Sequence, residues 1–460
     1  MVTSTTPPTL AVQETKKKFG KELRKEFLFD EKWLNLNHGS FGTYPRAIQT
    51  VLCAFQDDVE AHPDKFIWYT YPQRLDESRE AMSKLLNVPA STLVFVPNAT
   101  TGINTVLRNL IFTPSDKILY FSTIYGACHK TITYITETTP AEAVKVEYTY
   151  PVEDDWLVSA FKEKVKEVER NGGKVKIAVF DTVVSMPGLR MPFEKLVAAC
   201  KELDVLSCVD AAHGVGHVEL DLGALDPDFL VSNCHKWLYV PRGCAIFHVP
   251  LRNQPLLRST LPTSHGFSPR PAPGQAAPPQ RNPVHPSGAK SAWVKNFEFV
   301  GTIDNAPYLC IPAALQWRAD VLGGEAAIRT YCFDLNQRGA ARVAQILGTE
   351  VLDNETRTLT QCCLANVRLP MEMADIQRAG VQAGMQEEDV GPKVWNWMCR
   401  TLATEYATYM AILFYGGVWW VRMSAQVYLE VGDYEWGART VKELCGRVGR
   451  GEWIGEEVDV

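Results

Sequence analysis

Ser232-Asn233-Cys234-His235-Lys236-Trp237 places a lysine directly after the apolar run 229–231, where a buried strand is expected to end. A lysine among apolar neighbours is costly to desolvate as an ammonium, so it either pairs with an acid or loses its proton. A neutral lysine is a nucleophile for carbonyl groups. A lysine at a strand end can also extend its amine to water, and this stretch alone leaves both interpretations open.

The surrounding chain predicts an α/β fold. Between residues 93 and 249, short apolar runs alternate with segments of helical spacing, such as 157–168. This alternation is typical of a mostly parallel sheet with helices on both faces, which binds its ligands at the carboxyl ends of the strands. After Gly323-Gly324 the pattern changes to a long helix, short strands and a closing helix, which predicts a smaller α+β domain.

These patterns divide the chain into four parts. We expect a disordered tail over 1–19 and an N-terminal segment over 20–50 that joins the small domain. The large, ligand-binding domain is predicted over 51–322, and its proline-rich stretch 262–290 is predicted to be a mobile loop. Residues 323–460 are expected to form the small C-terminal domain.

The composition is that of a soluble enzyme. The net charge is −6, and 46% of the residues are hydrophobic against 22% charged, so nucleic acid is not an expected partner. The 12 cysteines are scattered without a CxxC pair, which favours reduced thiols in a cytoplasmic protein. The most apolar late stretch, 409–421, is too short to cross a bilayer, and no membrane partner is expected. No metal site is predicted.

Polar residues follow several predicted strands. Asn98, Ala99 and Thr100 open a helix after one strand; its free N–H groups and hydroxyls suit a phosphate, although Asn-x-Thr is also a plain helix cap. Tyr125 follows the next strand, as a stacking ring or as a core residue. Asp210 ends a later strand among small apolar residues, where a carboxylate needs a permanent cationic partner.

These residues gain meaning together, because the carboxyl ends of parallel strands meet at one edge of the sheet. A phosphate seat, a stacking ring, a buried acid and a nucleophilic lysine describe the needs of pyridoxal phosphate. Asp210 would keep the pyridine nitrogen protonated, and Lys236 would form the Schiff base. A cofactor fold that serves only as a binding scaffold is the non-enzymatic alternative.

The segments Asp210-Ala211-Ala212-His213 and His235-Lys236-Trp237-Leu238 resemble those of fold-type-I pyridoxal phosphate enzymes of the class V aminotransferase superfamily. The resemblance covers about Leu34 to Leu444 and implies a role for each matching position. Lys236, Asp210, His213 and Tyr125 would be the catalytic residues. The cofactor-binding set would comprise Ala99, Thr100, Tyr125, Ser185, Asp210, His213, Asn233, His235, Lys236 and Thr302.

The resemblance also implies a substrate site and an assembly. Arg422 matches the arginine that clamps the substrate carboxylate, and His38, Gly39 and Ser40 match the N-terminal loop that contacts the substrate. Thr302 lies in a segment that reaches the cofactor phosphate of the neighbouring protomer. The expected partner is therefore a second copy of the chain, in a homodimer with shared active sites, with a small amino acid as substrate.

Departures from the superfamily pattern narrow the expected reaction. Cysteine desulfurases carry a mobile cysteine in an Arg- and His-rich context, which Cys362, Cys363 and Cys399 lack. The chain resembles instead the isopenicillin N epimerase-like branch, which includes fungal lyases of ergothioneine biosynthesis that cleave hercynylcysteine sulfoxide. This resemblance implies β-elimination of a sulfenic acid, with release of pyruvate and ammonia; an aminotransferase or an epimerase is the alternative.

Two details stay open in the sequence. Tyr125 or His38 would protonate the leaving oxygen. The aromatic cluster Phe66, Trp68, Tyr69 and Tyr71 either cages a trimethylammonium group of the substrate or packs at a dimer interface.

Overall fold

A computed structural model describes residues 17–275, 284–285 and 288–455. In these ranges the strands are β1 Leu34–Asn35, β2 Leu93–Val96, β3 Asp116–Phe121, β4 Glu142–Val146, β5 Lys174–Asp181, β6 Leu206–Asp210, β7 Phe229–Ser232, β8 Ala245–His248, β9 Leu364–Arg368, β10 Thr408–Tyr409, β11 Ala411–Tyr415 and β12 Val418–Ser424. The α-helices are α1 His38–Phe41, α2 Arg46–Ala61, α3 Pro63–Lys65, α4 Tyr71–Leu86, α5 Ala99–Asn109, α6 Gly126–Thr138, α7 Asp154–Arg170, α8 Phe193–Glu202, α9 Leu222–Leu225, α10 Cys234–Trp237, α11 Ala292–Glu298, α12 Ala306–Leu309, α13 Ile311–Leu322, α14 Glu325–Leu347, α15 Met373–Gln382, α16 Glu387–Thr404 and α17 Val431–Gly449.

The main sheet has the strand order β2-β8-β7-β6-β5-β3-β4. β8 runs antiparallel to both of its neighbours, and the remaining pairs are parallel. Its central strands are largely apolar, and β7 and the second half of β5 are buried, as expected for a sheet covered by helices. The carboxyl ends of β2, β7, β6, β5 and β3 therefore open at one edge, which confirms the predicted α/β class.

Residues that alternate along the strands feed two apolar cores. Phe180 and Val209 face the core shared with α7 and α8, whereas Val179 and Cys208 face the core beneath α5 and α6. Helix α7 shows why these helices form: its buried residues recur at helical spacing and its other faces are charged.

The small domain is built on the antiparallel sheet β11-β12-β9, against which α14 packs, and α17 packs on α14. The apolar stretch 409–421 contains most of the β11–β12 hairpin, which turns at Gly416 and Gly417 with φ of 59° and 82°. β1 pairs in parallel with β10, so the segment predicted over 20–50 adds a strand to this domain.

The ends and the proline-rich loop are only partly described. Of the predicted tail 1–19, residues 1–16 lie outside the described residues, while Phe19 stacks on Tyr331 at 4.6 Å. Within the predicted mobile loop 262–290, residues 276–283 and 286–287 also lie outside them. None of the described helices is long and apolar enough to cross a membrane.

Candidate functional site

Helix α10 carries Lys236, and two buried side chains hold its backbone. His38 Nε2 lies 2.6 Å from the Lys236 carbonyl oxygen, and Arg318 Nη1 donates to the Trp237 carbonyl oxygen at 2.9 Å. A carbonyl only accepts, so His38 Nε2 carries the hydrogen and Nδ1 accepts from the Tyr428 hydroxyl, 3.0 Å away. Burial lowers the pKa of His38 to about 3. The neutral ring therefore holds the Lys236 backbone through Nε2, while Tyr428 fixes the ring through Nδ1.

The ring of His213 determines the state of the Lys236 amine. Trp237 Nε1 can only donate, and it lies 3.1 Å from His213 Nδ1, which must therefore accept. Burial lowers the pKa of His213 far below its usual value, so the neutral ring carries its hydrogen on Nε2. That nitrogen lies 3.1 Å from Lys236 Nζ, which accepts a hydrogen only as a neutral amine. Burial lowers the pKa of Lys236 to about 8, in agreement with this arrangement.

Asp210 ends β6, next to the strand that precedes α10. Its carboxylate is 2% exposed, accepts from the Ala212 amide at 2.9 Å and accepts from Cys128 Sγ at 3.3 Å. Burial raises the pKa of Asp210, and the charge of Lys236 opposes that rise. A buried acid without an arginine or lysine bonded to it, in the described part of the chain, suits the protonated ring nitrogen of a cofactor.

The amino end of α5 lies beside the same edge. Asn98 caps the helix by accepting from the Thr101 amide at 2.8 Å, and Asn233 Oδ1 accepts from the Ala99 amide at 2.8 Å. Asn233 thus ties this helix start to α10. The first amides of α5 carry the positive end of the helix dipole, which favours a phosphate near Thr100.

His235 lies at the start of α10, on the side of the β8 loop. Its Nδ1 donates to the Cys244 carbonyl oxygen at 2.9 Å, which leaves Nε2 as the second, accepting nitrogen of a neutral ring. Burial lowers the pKa of His235 to about 4. The neutral His235 ring therefore adds no positive charge to the predicted phosphate site. It contributes to that site through its position and its tautomer.

Arg422 enters from β12 of the small domain and is fully buried. Its Nη2 donates to Asn37 Oδ1 and Ser40 Oγ, each at 2.8 Å, and Nη1 donates to the Ser185 carbonyl oxygen. All of these acceptors are neutral, and Nε has no hydrogen-bond partner. Burial lowers the pKa of Arg422 to about 10. A buried guanidinium with only neutral partners is built to receive a carboxylate.

Glycines let the neighbouring backbone approach these groups. A Cβ on Gly188 would lie 2.6 Å from Arg422 Cδ, and one on Gly42 would lie 1.8 Å from the His235 carbonyl oxygen. Gly39, in the predicted substrate loop, donates its amide to Ser424 Oγ at 3.1 Å. The loop is thereby fixed between the two domains.

Two predicted site residues are exposed, unlike the buried residues described above. Tyr125 is 46% exposed at the position before α6, with its ring outside the sheet core. Thr302 is exposed, in the stretch between α11 and α12. Within the aromatic cluster, Phe66 and Tyr71 belong to the core, and Tyr69 stacks on His285 at 4.7 Å.

Sequence reasoning missed three buried residues that the structure places at the site. Asp181 ends β5 directly beside Asp210, Cys128 reaches Asp210 from α6, and Arg318 holds α10. Asp181 carried a usable signal, because it terminates an apolar strand as Asp210 does. Cys128 and Arg318 sit inside amphipathic helices, where no local pattern distinguishes them.

The residues present fit pyridoxal phosphate. A helix start offers a phosphate seat, a buried acid faces the edge where a ring nitrogen would need one, and a near-neutral lysine stands between them. Arg422, which enters from the small domain and has only neutral acceptors, could bind the carboxylate of an amino acid. Lys236, Asp210, Asn233 and the start of α5 would hold the cofactor.

Comparison with known proteins agrees with this geometry. The L-cysteine desulfhydrase-like protein lolT1 of Epichloe uncinata is 38% identical over 440 residues, which cover 94% of this chain and 96% of that protein. The hercynylcysteine sulfoxide lyase of Schizosaccharomyces pombe is 26% identical, covering 93% of this chain and 98% of that protein.

A solved structure shows the same fold. The cystine C–S lyase C-DES, in complex with its reaction product cysteine persulfide, superposes with a TM-score of 0.69 at 17% identity, covering 90% of this chain and 98% of that chain. The family model described as aminotransferase class-V matches residues 69–266. The chain therefore belongs to the class V aminotransferase family of pyridoxal phosphate enzymes.

Proposed function

We propose that this enzyme is a carbon–sulfur lyase that eliminates the β-substituent of an S-conjugated cysteine sulfoxide. Hercynylcysteine sulfoxide is the substrate we favour, on a route to ergothioneine. The observation that supports an amino acid as the substrate is that the buried Arg422 has only neutral hydrogen-bond partners. The names of the relatives, a cysteine desulfhydrase-like protein and a hercynylcysteine sulfoxide lyase, support C–S cleavage.

The residues divide the work between binding and proton transfer. Arg422 would hold the substrate carboxylate against Asn37 and Ser40. Pyridoxal phosphate, when bound, supplies an electron sink for the pair released at Cα, and Asp210 keeps its ring nitrogen protonated. Lys236 then takes the Cα proton, since its lowered pKa of about 8 leaves a substantial neutral fraction.

Elimination breaks the Cβ–S bond, and the sulfoxide leaves as a sulfenic acid once its oxygen gains a proton. The remaining aminoacrylate takes up water to give pyruvate and ammonia. Of the two proton donors considered, we favour Tyr125, which is half exposed at the strand edge. His38 is committed, because both of its ring nitrogens already bond to protein atoms.

A persulfide route is disfavoured by the burial of the cysteines in the small domain. Cys362, Cys363 and Cys399 are 0%, 3% and 7% exposed, so none is placed to receive sulfur from a substrate in the cleft. The sulfur would leave within a small molecule.

We further propose that the enzyme acts in the cytoplasm as a homodimer with shared sites. Thr302 is exposed and Ile303 beside it is 50% exposed, as expected of a segment that meets a partner subunit. All 12 cysteines are free thiols, in keeping with a reducing compartment.

The proposal is tested by comparing substrates. We expect kcat/KM for pyruvate release to be highest for hercynylcysteine sulfoxide, lower for other S-substituted cysteine sulfoxides and lowest for cysteine. Lys236→Ala, loaded with the cofactor, serves as the control for uncatalysed elimination. A clear preference for free cysteine would refute the sulfoxide assignment and favour a desulfhydrase.

A further inference from the structure

Two carboxyl groups lie side by side at the carboxyl edge of the main sheet. Asp181 and Asp210 are register partners on the parallel strands β5 and β6. Neighbouring strands are about 4.8 Å apart, so the two side chains are separated by little more than that distance if they share a face. They are 4% and 2% exposed.

The alternation of each strand shows that they do share a face. Val179 and Cys208, two residues before each acid, both face the core beneath α5 and α6. Side chains repeat every second residue along a strand, so Asp181 and Asp210 point the same way. Cys128 of α6 meets Asp210 there.

No basic side chain is bonded to either carboxyl in the described part of the chain. Lys236 influences both acids electrostatically, but its amine is hydrogen-bonded to His213. Two buried carboxylates at this separation, with at most the one positive charge of Lys236 nearby, cannot both stay ionised.

The hydrogen bonds distinguish the two members. Asp210 accepts from the Ala212 amide and from the Cys128 thiol, and both bonds stabilise its ionised form. Among the residues that the structure describes, none donates a hydrogen bond to the Asp181 carboxyl. Burial and the neighbouring Asp210 charge raise the pKa of Asp181 well above its usual value.

We infer that Asp181 and Asp210 form a carboxyl pair that holds one proton, and that the proton resides on Asp181. Neutral Asp181 leaves Asp210 as the single anion that faces the ring nitrogen of the cofactor. Asp181 is thus a positioning residue, which acts through Asp210 without contacting the substrate.

Few other titratable groups lie around the pair in the described part of the chain. All of them except Lys236 are thiols or phenols, which are uncharged when protonated. The groups whose charges act on the pair, or which the pair acts on, are Lys236 of α10, Cys128 of α6, Cys208 of β6, and Tyr148 and Tyr150 beyond β4. Only Lys236 can add positive charge. The inference concerns the cofactor-free chain as well, so it does not depend on which bond the enzyme cleaves.

Infrared spectroscopy of the cofactor-free chain, labelled with carboxyl-¹³C aspartate, tests the pair directly. At neutral pH we expect a carboxylic-acid C=O band that shifts with the label, is lost in Asp181→Asn and persists in Asp116→Asn. Asp116 is the matched control, since it is a buried aspartate of the same sheet that is paired with Lys176 at 2.9 Å. No label-sensitive acid band, or a band that survives in Asp181→Asn, would overturn the inference.

Cofactor affinity gives a second readout. Because asparagine matches a neutral aspartic acid in shape and charge, Asp181→Asn should keep the cofactor dissociation constant within about twofold of the unmodified chain. Loss of an ionised carboxylate beside the ring would instead raise that constant by about tenfold or more, which would also overturn the inference. Should Asp181→Asn fail to fold, the labelled unmodified chain and Asp181→Ser decide by the acid band.

Discussion

Replacing Arg422 by methionine should abolish substrate capture at little cost in stability. The side chain is fully buried, and burial lowers its pKa to about 10. Relative to an ordinary arginine, this shift means that the protein destabilises the charged guanidinium by about 3 kcal/mol. Its hydrogen bonds to Asn37, Ser40 and Ser185 contribute about 1 kcal/mol each. These terms nearly cancel, so the unfolding free energy of Arg422→Met should change by about 1 kcal/mol or less.

The effect on catalysis should be far larger. A bidentate guanidinium–carboxylate pair comprises two charge-assisted hydrogen bonds of about 1.5–3 kcal/mol each, so kcat/KM for pyruvate release should fall by about 10²–10⁴-fold. Arg422→Lys keeps the charge but loses the planar fork, and it should recover only part of this loss. The visible absorption of the bound cofactor should be unchanged in both variants, because Arg422 acts on the substrate.

Arg318 provides the matched control for stability. It is also fully buried, but it forms an ion pair with Glu325 and holds the Trp237 carbonyl oxygen. Arg318→Met should therefore lose about 3–5 kcal/mol of unfolding free energy, since it removes the bond to the buried Trp237 carbonyl oxygen and leaves the partly buried Glu325 carboxylate without its partner. If Arg422→Met is destabilised as much as Arg318→Met, or keeps kcat/KM within about tenfold, the assignment of Arg422 as a carboxylate clamp is wrong.

Three further predictions concern the lysine, a glycine and the cysteines. The rate at which the cofactor attaches to the cofactor-free chain should rise with pH up to about 8 and then level off, because only the neutral amine of Lys236 reacts; a rate that is flat below pH 8 in stopped-flow absorbance would contradict its lowered pKa. Gly42→Ala should lower the unfolding free energy by about 2 kcal/mol or more, because φ is 66° and the new Cβ would lie 1.8 Å from a backbone carbonyl oxygen. Gly172→Ala, with φ of 78° and open space around it, should lose only about 1 kcal/mol through backbone strain. Equal losses for the two variants in chemical denaturation would show that the contact is irrelevant. Cys362→Ala and Cys363→Ala should retain kcat within about threefold, because neither thiol handles sulfur, and loss of sulfur release in either variant would indicate a persulfide mechanism.

Much of the large domain follows from the sequence because its signals are local. The central strands are mostly apolar runs, and the parallel connection rule places their carboxyl ends at one edge. Lys236 and Asp210 could be placed together for that reason. Asp181 ends an apolar strand in the same way but was not predicted as a site residue, because its meaning depends on the register that pairs it with Asp210.

The remaining parts depend on contacts between distant segments. The sequence does not show that His38 bonds to the Lys236 backbone, since 198 positions separate the two residues. It likewise does not show that the partners of Arg422 are neutral, because they come from the N-terminal loop and from the turn after β5. The hairpin over 409–421 was hidden because both of its strands are apolar and the two glycines are the only signal of a turn.

The ratio of pyruvate formed to substrate consumed, measured with an S-substituted cysteine sulfoxide and the cofactor-loaded enzyme, tests the central claim most directly. Elimination predicts one pyruvate and one ammonia for each substrate molecule, with the sulfur recovered in a sulfenic acid or its condensation product. Recovery of the intact sulfoxide with inverted Cα configuration, or as an oxo acid that retains its sulfur, would contradict the account.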